Sequence, residues 1–190
     1  KTTTASNKTA MGRDALLSNT TGAGNVAMGY RPLDANTTGT RNIAIGLDAL
    51  GANTTANDNT AVGYAAFEVN TTGTRGVAIG AYAAAANTTG SDNTGVGYAS
   101  LNSNTTGASN TAVGRSALTS NTTASQNTAV GYLCLTTNTT GQDNTAVGMD
   151  CMRLNTTGAQ NTAIGQNTLE ANTTADNNTA LGYEALKANT

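Results

Sequence analysis

Apolar and polar residues alternate over a five-residue stretch that returns every 17 residues along the whole chain. In Asn144-Thr145-Ala146-Val147-Gly148, an extended backbone turns Thr145 and Val147 to one side and Ala146 and Gly148 to the other. The Val147 place is filled by Met11, Met28, Ile45, Val62, Ile79, Val96, Val113, Val130, Ile164 and Leu181 in the other turns. A ladder of apolar, mostly β-branched residues predicts a short strand that faces a core. Repeated at a fixed period, such strands pair in register as a parallel sheet along a solenoid axis.

The other side of the strand carries only small residues. Ala holds the Ala146 place in ten of eleven turns, with Gly95 the exception, and Gly holds the Gly148 place in all eleven. An invariant Gly at that point predicts a sharp bend. A ladder of Ala predicts close packing, against another chain or another part of the coil. Ala44, Ala61, Ala78, Ala112, Ala129, Ala146 and Ala163 are therefore candidate interface residues.

The next stretch follows a small-then-large rule, as in Ala49-Leu50, Ala66-Phe67, Ala117-Leu118 and Cys151-Met152. Its composition favours helix, and its length allows a single turn. The expectation is a short helical turn, or an irregular second side, that drives Leu into the core opposite Val147. A second strand is the alternative.

Asn-Thr-Thr then closes the coil at Asn19, Asn36, Asn53, Asn70, Asn87, Asn104, Asn121, Asn138, Asn155 and Asn172, followed by Gly or Ala. These residues suit a tight corner. A second Asn column precedes the strand, from Asn25 to Asn178, with Gly76 the exception. Stacked at coil spacing, both columns predict amide ladders along the axis. The ten triplets also match the acceptor pattern for N-glycosylation. Glycans every ~4.8 Å would crowd one another, which favours the corner ladder. Thr2-Thr3-Thr4 reads as an imperfect first copy, and Asn189-Thr190 opens one more.

These elements predict one domain over residues 1–190, a β-solenoid (parallel β-roll) of about eleven 17-residue coils, roughly 50 Å long at ~4.8 Å per coil. Each coil carries one short strand plus the helical turn or second strand. A single coil buries too little apolar surface to fold alone, so stability accumulates between neighbours. The chain starts and stops inside repeats, as a mature product or an excerpt of a longer array or filament would.

Composition narrows the function. Charged residues are 11%, His is absent and the net charge is −2. Arg and Lys are scattered, so no basic stripe suits nucleic acid. No apolar run approaches the ~20 residues of a membrane helix. Without His, with no nucleophile beside a base and no phosphate loop, the chain offers no catalytic, cofactor or metal site, and the expectation is that it is not an enzyme. Asp58, Asp92 and Asp143 are the nearest approach to a calcium site, but the glycine- and aspartate-rich nonapeptide of calcium-binding rolls is missing. Asp58 and Asp92 instead alternate with Arg41 and Arg75 one coil apart, which predicts a solvated charge ladder. Tyr30, Tyr64, Tyr98 and Tyr132 follow the Gly in every second turn. They predict packing at a coil edge, with a sugar-binding or self-association surface as the alternative. Cys134 and Cys151 stand where most turns have Ala, and predict two buried thiols, with a disulfide between stacked coils the alternative.

Asn25-Val26-Ala27-Met28-Gly29, Asn42-Ile43-Ala44-Ile45-Gly46 and Gly76-Val77-Ala78-Ile79-Gly80 resemble the Asn-Ser-Val-Ala-Ile-Gly repeats in head domains of trimeric autotransporter adhesins. The likeness covers about five of the 17 residues in each turn. It implies a left-handed parallel β-roll, trimeric, on a bacterial surface and binding host matrix. The full 17-residue unit is also similar to arrays in large extracellular proteins and phage tail fibres. The leading functional expectation is a structural subunit of an extracellular fibre or surface appendage, assembled by solenoid stacking. A trimeric adhesin or phage-fibre receptor-binding head is the alternative, and an ice-binding solenoid with Thr rows the second. The expected partners are further copies of the chain, as filament or trimer, and surface carbohydrate or matrix. The expected location is extracellular or at the cell surface.

Overall fold

A computed structural model describes residues 6–189. Thr2-Thr3-Thr4 and Thr190 lie outside the described residues. Eleven three-residue strands, from β1 (Thr9–Met11) to β11 (Thr179–Leu181), form one parallel sheet in strict chain order. Every pair keeps the 17-residue register, so Ala146 lies beside Ala163 and Val147 beside Ile164. The chain is a β-solenoid, and its coils are joined by backbone hydrogen bonds on every side. Thr145 N–H donates to the Asn161 carbonyl of the next coil at 2.8 Å, and Gly148 N–H to the Val130 carbonyl of the previous one at 2.8 Å.

The sidedness of the strand is the reverse of the expectation. Ala44, Ala61, Ala78, Ala112, Ala129, Ala146 and Ala163 point inward and are fully buried. The β-branched ladder points outward, with Ile45, Ile79 and Ile164 each about two-fifths exposed (37%, 40% and 41%). The physical reason is volume. Leu33, Leu50, Leu101, Leu118, Leu135 and Leu169 reach in from the opposite side and are fully buried. A Cβ placed on Gly95 would sit 3.8 Å from Leu101 Cδ1, so the strand meets Leu at one methyl's distance. A core already filled by Leu leaves room across from it only for Ala.

The Leu-bearing side is neither a helical turn nor a second strand. It is a run of overlapping four-residue turns. In the last coil Ala185 N–H donates to the Gly182 carbonyl, Lys187 N–H to Glu184 and Asn189 N–H to Leu186, at 3.1–3.2 Å. The third residue of the first two turns is left-handed, with φ of 55° at Glu184 and 49° at Leu186. That is the signature of successive type II-like turns. Positive φ recurs at Asp48 and Leu50, and at Ser116 and Leu118. The left-handed step is what swings each Leu inward. It costs an L-residue about 1 kcal/mol. It is held by bonds to both neighbouring coils: Asp48 N–H reaches the Tyr30 carbonyl and Leu50 N–H the Ala66 carbonyl, each at 3.0 Å.

The Gly that ends each strand bends the chain as expected, with φ of 137° at Gly148. It also lies against the next coil, where an added Cβ would stand 2.6 Å from the Gly165 carbonyl carbon. The one break in the second Asn column has a local cause. Phe67 replaces Leu in that turn, and a Cβ on Gly76 would stand 2.6 Å from its Cζ. The larger ring takes the space of the missing Asn side chain.

Candidate interaction surfaces

Five features were candidates for chemistry or recognition. Two of them are internal structure. In the corner column, Asn104 Nδ2 donates to Asn87 Oδ1 at 2.8 Å and to its own coil's Gly107 carbonyl at 2.9 Å. Both amide hydrogens are used, and the side chain is fully buried. The same double donation runs from Asn36 to Asn172, Asn19 donates to the Gly22 carbonyl alone, and no Asn from Asn19 to Asn172 in the column is more than 1% exposed. In this fold the candidate glycosylation sites Asn19, Asn36, Asn53, Asn70, Asn87, Asn104, Asn121, Asn138, Asn155 and Asn172 have no path for a glycan to reach solvent. The second column works differently. Asn110 Nδ2 donates to the Ala124 carbonyl at 2.9 Å, and its backbone N–H donates to Asn93 Oδ1 at 3.0 Å. Among the described residues no buried side-chain polar atom lacks a partner. The Ala ladder is the second internal feature, since the chain's own Leu side chains cover it and no other chain can.

Cys134 and Cys151 are free thiols, buried between Ala117 and Thr168 in their column. Each donates to a carbonyl of the next coil, Ala146 and Ala163, at 3.2 and 3.3 Å. The adjacent Cys151 sulfur and burial together push the Cys134 thiol up, so it stays protonated.

The charged residues form pairs and small clusters, such as Arg153 and Lys187 sharing Glu170. Arg41 holds Asp58 through two bonds of 2.6 and 2.8 Å, and Arg75 holds Asp92 through bonds of 2.7 and 2.8 Å. The guanidinium bond pulls each carboxyl below its ordinary value. Both carboxylates considered for calcium in this pair of turns are thus occupied by Arg. Among the described residues no group of three or more carboxylate or thiol side chains is arranged to hold a metal. A shallow open depression of about 340 Å³ lies on the turn side where Gly51 lacks a side chain, and Arg31 is bonded to Asp34 at its edge.

The exposed Tyr residues form a row of ring contacts. Tyr82 meets Tyr64 and Tyr98 edge-to-face, at 4.9 and 6.1 Å between centroids. The Arg115 guanidinium lies between Tyr98 and Tyr132, 5.9 and 5.6 Å from their centroids, and Arg13 covers Tyr30 at 5.5 Å. The rings stay between about one-third and two-thirds exposed. The row reads as coil-edge packing.

The remaining surface is the outer face of the sheet. It consists of two parallel columns, the Thr145 place and the Val147 place. All their residues are Thr, Val, Ile, Met or Leu, with no charge. Sequence reasoning placed the Val147 column in the core and so missed this face. The signal against that placement was available: the Leu of the turn side already supplied a large core residue in most coils. No family model, curated protein or solved structure matches the chain.

Proposed function

We propose that this chain is a structural rod, a building block of an extracellular fibre or surface appendage. One observation carries the reading. The inward, corner and bend places of the 17-residue unit each have one structural duty, repeated from coil to coil: Ala and Leu fill the core, Asn makes two ladders, and Gly bends against its neighbour. Nothing in the repeat singles out one coil as a reaction centre. The upper and lower edges of a coil are complementary by construction, because each coil already binds the next through the same bonds. A coil of another copy can dock by the same pattern, which is how the solenoid would lengthen into a fibre. Low charge and abundant Thr and Asn fit an extracellular or cell-surface location. Electron micrographs of the purified native assembly test the reading. Filaments many times the ~50 Å coil stack are expected; short separate rods at high concentration would rule it out.

Ice binding is the second reading, because one observation favours it. Thr60, Thr94, Thr111, Thr128, Thr145 and Thr162 all lie on the outer sheet face in register. Regular outward Thr rows can order water. Val26, Ile43 and Val77 interrupt this row. A freezing-point assay decides it: a solution that melts and freezes at one temperature discards the idea.

A further inference from the structure

We propose that the depression over Gly51 binds an alkylguanidinium cation, the chemistry of an arginine side chain, held by Asp34, Asp48 and Glu68. The proposal goes beyond the structural-rod reading and does not depend on it.

Three observations carry it. The first is a side chain missing from a charged column. Asp34, Gly51 and Glu68 hold one place of the repeat in three successive coils, and Asp48 stands three residues before Gly51 in the same coil. A Cβ on Gly51 would stand 3.7 Å from Asp34 Oδ1, so a side chain there would rise among carboxylates. Without it the coils leave the open space of about 340 Å³, with Ala52 and Val69 on its wall.

The second is charge. Three carboxylates line the depression against one cation, Arg31. Arg31 is committed to Asp34 by bonds of 3.2 and 3.1 Å and stands 3.7 Å from Asp48. Glu68 makes no ion pair among the described residues. Among those residues no three such groups are placed to hold a metal ion, so the gap suits a more extended cation. Two coil steps, roughly 9.6 Å, separate Asp34 and Glu68 along the axis. A planar guanidinium that bonds along two edges suits that span better than a point-like ammonium.

The third is an occupied copy of the same arrangement six coils on. Asp150, Arg153 and Glu170 take the places of Asp48, Gly51 and Glu68. There the Arg153 guanidinium lies 3.5 Å from Asp150 and 2.7 Å from Glu170. The two carboxylates that hold it recur around Gly51 without the cation. Asp34 adds a third on the coil before, where the occupied copy has Thr136. This place in the fold thus already holds a guanidinium when the chain supplies one, and an external one can take up the same bonds. Ala52 and Val69 offer apolar surface for its alkyl stem.

Saturation-transfer NMR of the full chain tests this with N-propylguanidinium as the probe. Observing the small molecule works whether the chain is a single rod or a filament. Saturable transfer to the probe is expected, with none to N-propylurea, a neutral molecule of similar shape. Gly51→Arg, which supplies the guanidinium from the chain itself, should abolish the transfer and keep the circular dichroism spectrum. Glu68→Gln, on the exposed turn side, should weaken binding about threefold, and it carries the test if Gly51→Arg does not fold. A capped Gly-Arg-Gly peptide forms a second arm. Tighter binding than the probe assigns the site to an arginine of a protein partner; equal or weaker binding assigns it to a free small cation. No saturable transfer, equal transfer to N-propylurea, or unchanged binding in a folded variant overturns the proposal. Any of these leaves the structural-rod reading standing, since that is decided by micrographs.

Discussion

The two sides of each coil solve the same problem by opposite means. The strand side is extended, nearly invariant and built from Ala and Gly. The turn side is compact, left-handed at alternate residues and variable in its outward positions. Both send their backbone bonds to the neighbouring coils. Both deliver inward side chains, small from the strand and large from the turns. The comparison teaches that a solenoid this thin has a core one side chain deep. Whichever side supplies Leu, the other must supply Ala. The turn side supplies it because a left-handed step aims the side chain inward. The strand side then has its larger residues free for the outside.

Breaking the strand side at its bend should have the largest effect. Gly114 has φ of 133°, which L-residues avoid, and a Cβ there would lie 2.7 Å from the Gly131 carbonyl carbon. Gly114→Ala should cost about 3 kcal/mol or more in urea denaturation. A loss under about 1 kcal/mol would mean that the coils can move apart without penalty.

Core complementarity comes next. Leu118→Ala should destabilise by about 2–4 kcal/mol. Ala112→Leu should cost about 1–3 kcal/mol by overpacking. If the two sides exchange volume, the double variant should lose less than the sum of the single losses, by about 1 kcal/mol. Strict additivity would show that they do not share one cavity.

The turn side should respond to Gly in the opposite sense from the strand bend. Ser116 is left-handed with φ of 57°, and it lies two residues beyond Gly114. Ser116→Gly relieves that conformation and should stabilise by about 0.5 kcal/mol, as thermal melts would register. A lower melting temperature would mean that Ser116 is not strained.

The smallest effect is expected from the surface pairs. Arg41 depresses the Asp58 carboxyl below its ordinary 3.8. A depressed carboxylate contributes stability above its ordinary range, and this is lost as pH falls through the folded value. Stability should therefore drop on acidification below about pH 4, and more weakly in salt. Asp58→Asn should make that drop shallower. An unchanged slope would assign it to other carboxylates.

The period, the parallel register, the corner ladders and the bend at Gly were legible because each is a local or translational property. A 17-residue repeat without insertions must place like on like, and stacked Asn side chains must then meet. Sidedness was not legible. Thr145 and Val147 share one face under either arrangement, and alternation alone does not say which face is inside. The Ala ladder, read as room for a neighbour, is room for Leu50 and its equivalents. The left-handed turns were hidden too, because Asp48-Ala49-Leu50 contains no Gly to announce positive φ.

The amino-acid sequence by itself therefore determined a rod of stacked coils and the positions that repeat along it. Only the tertiary structure decided which way each strand faces, what conformation carries Leu inward, and that the Asn columns are sealed from solvent. The physical reason is that periodicity constrains contacts along the axis, between coils. Contacts across the coil depend on how the volumes of its two sides divide one narrow core.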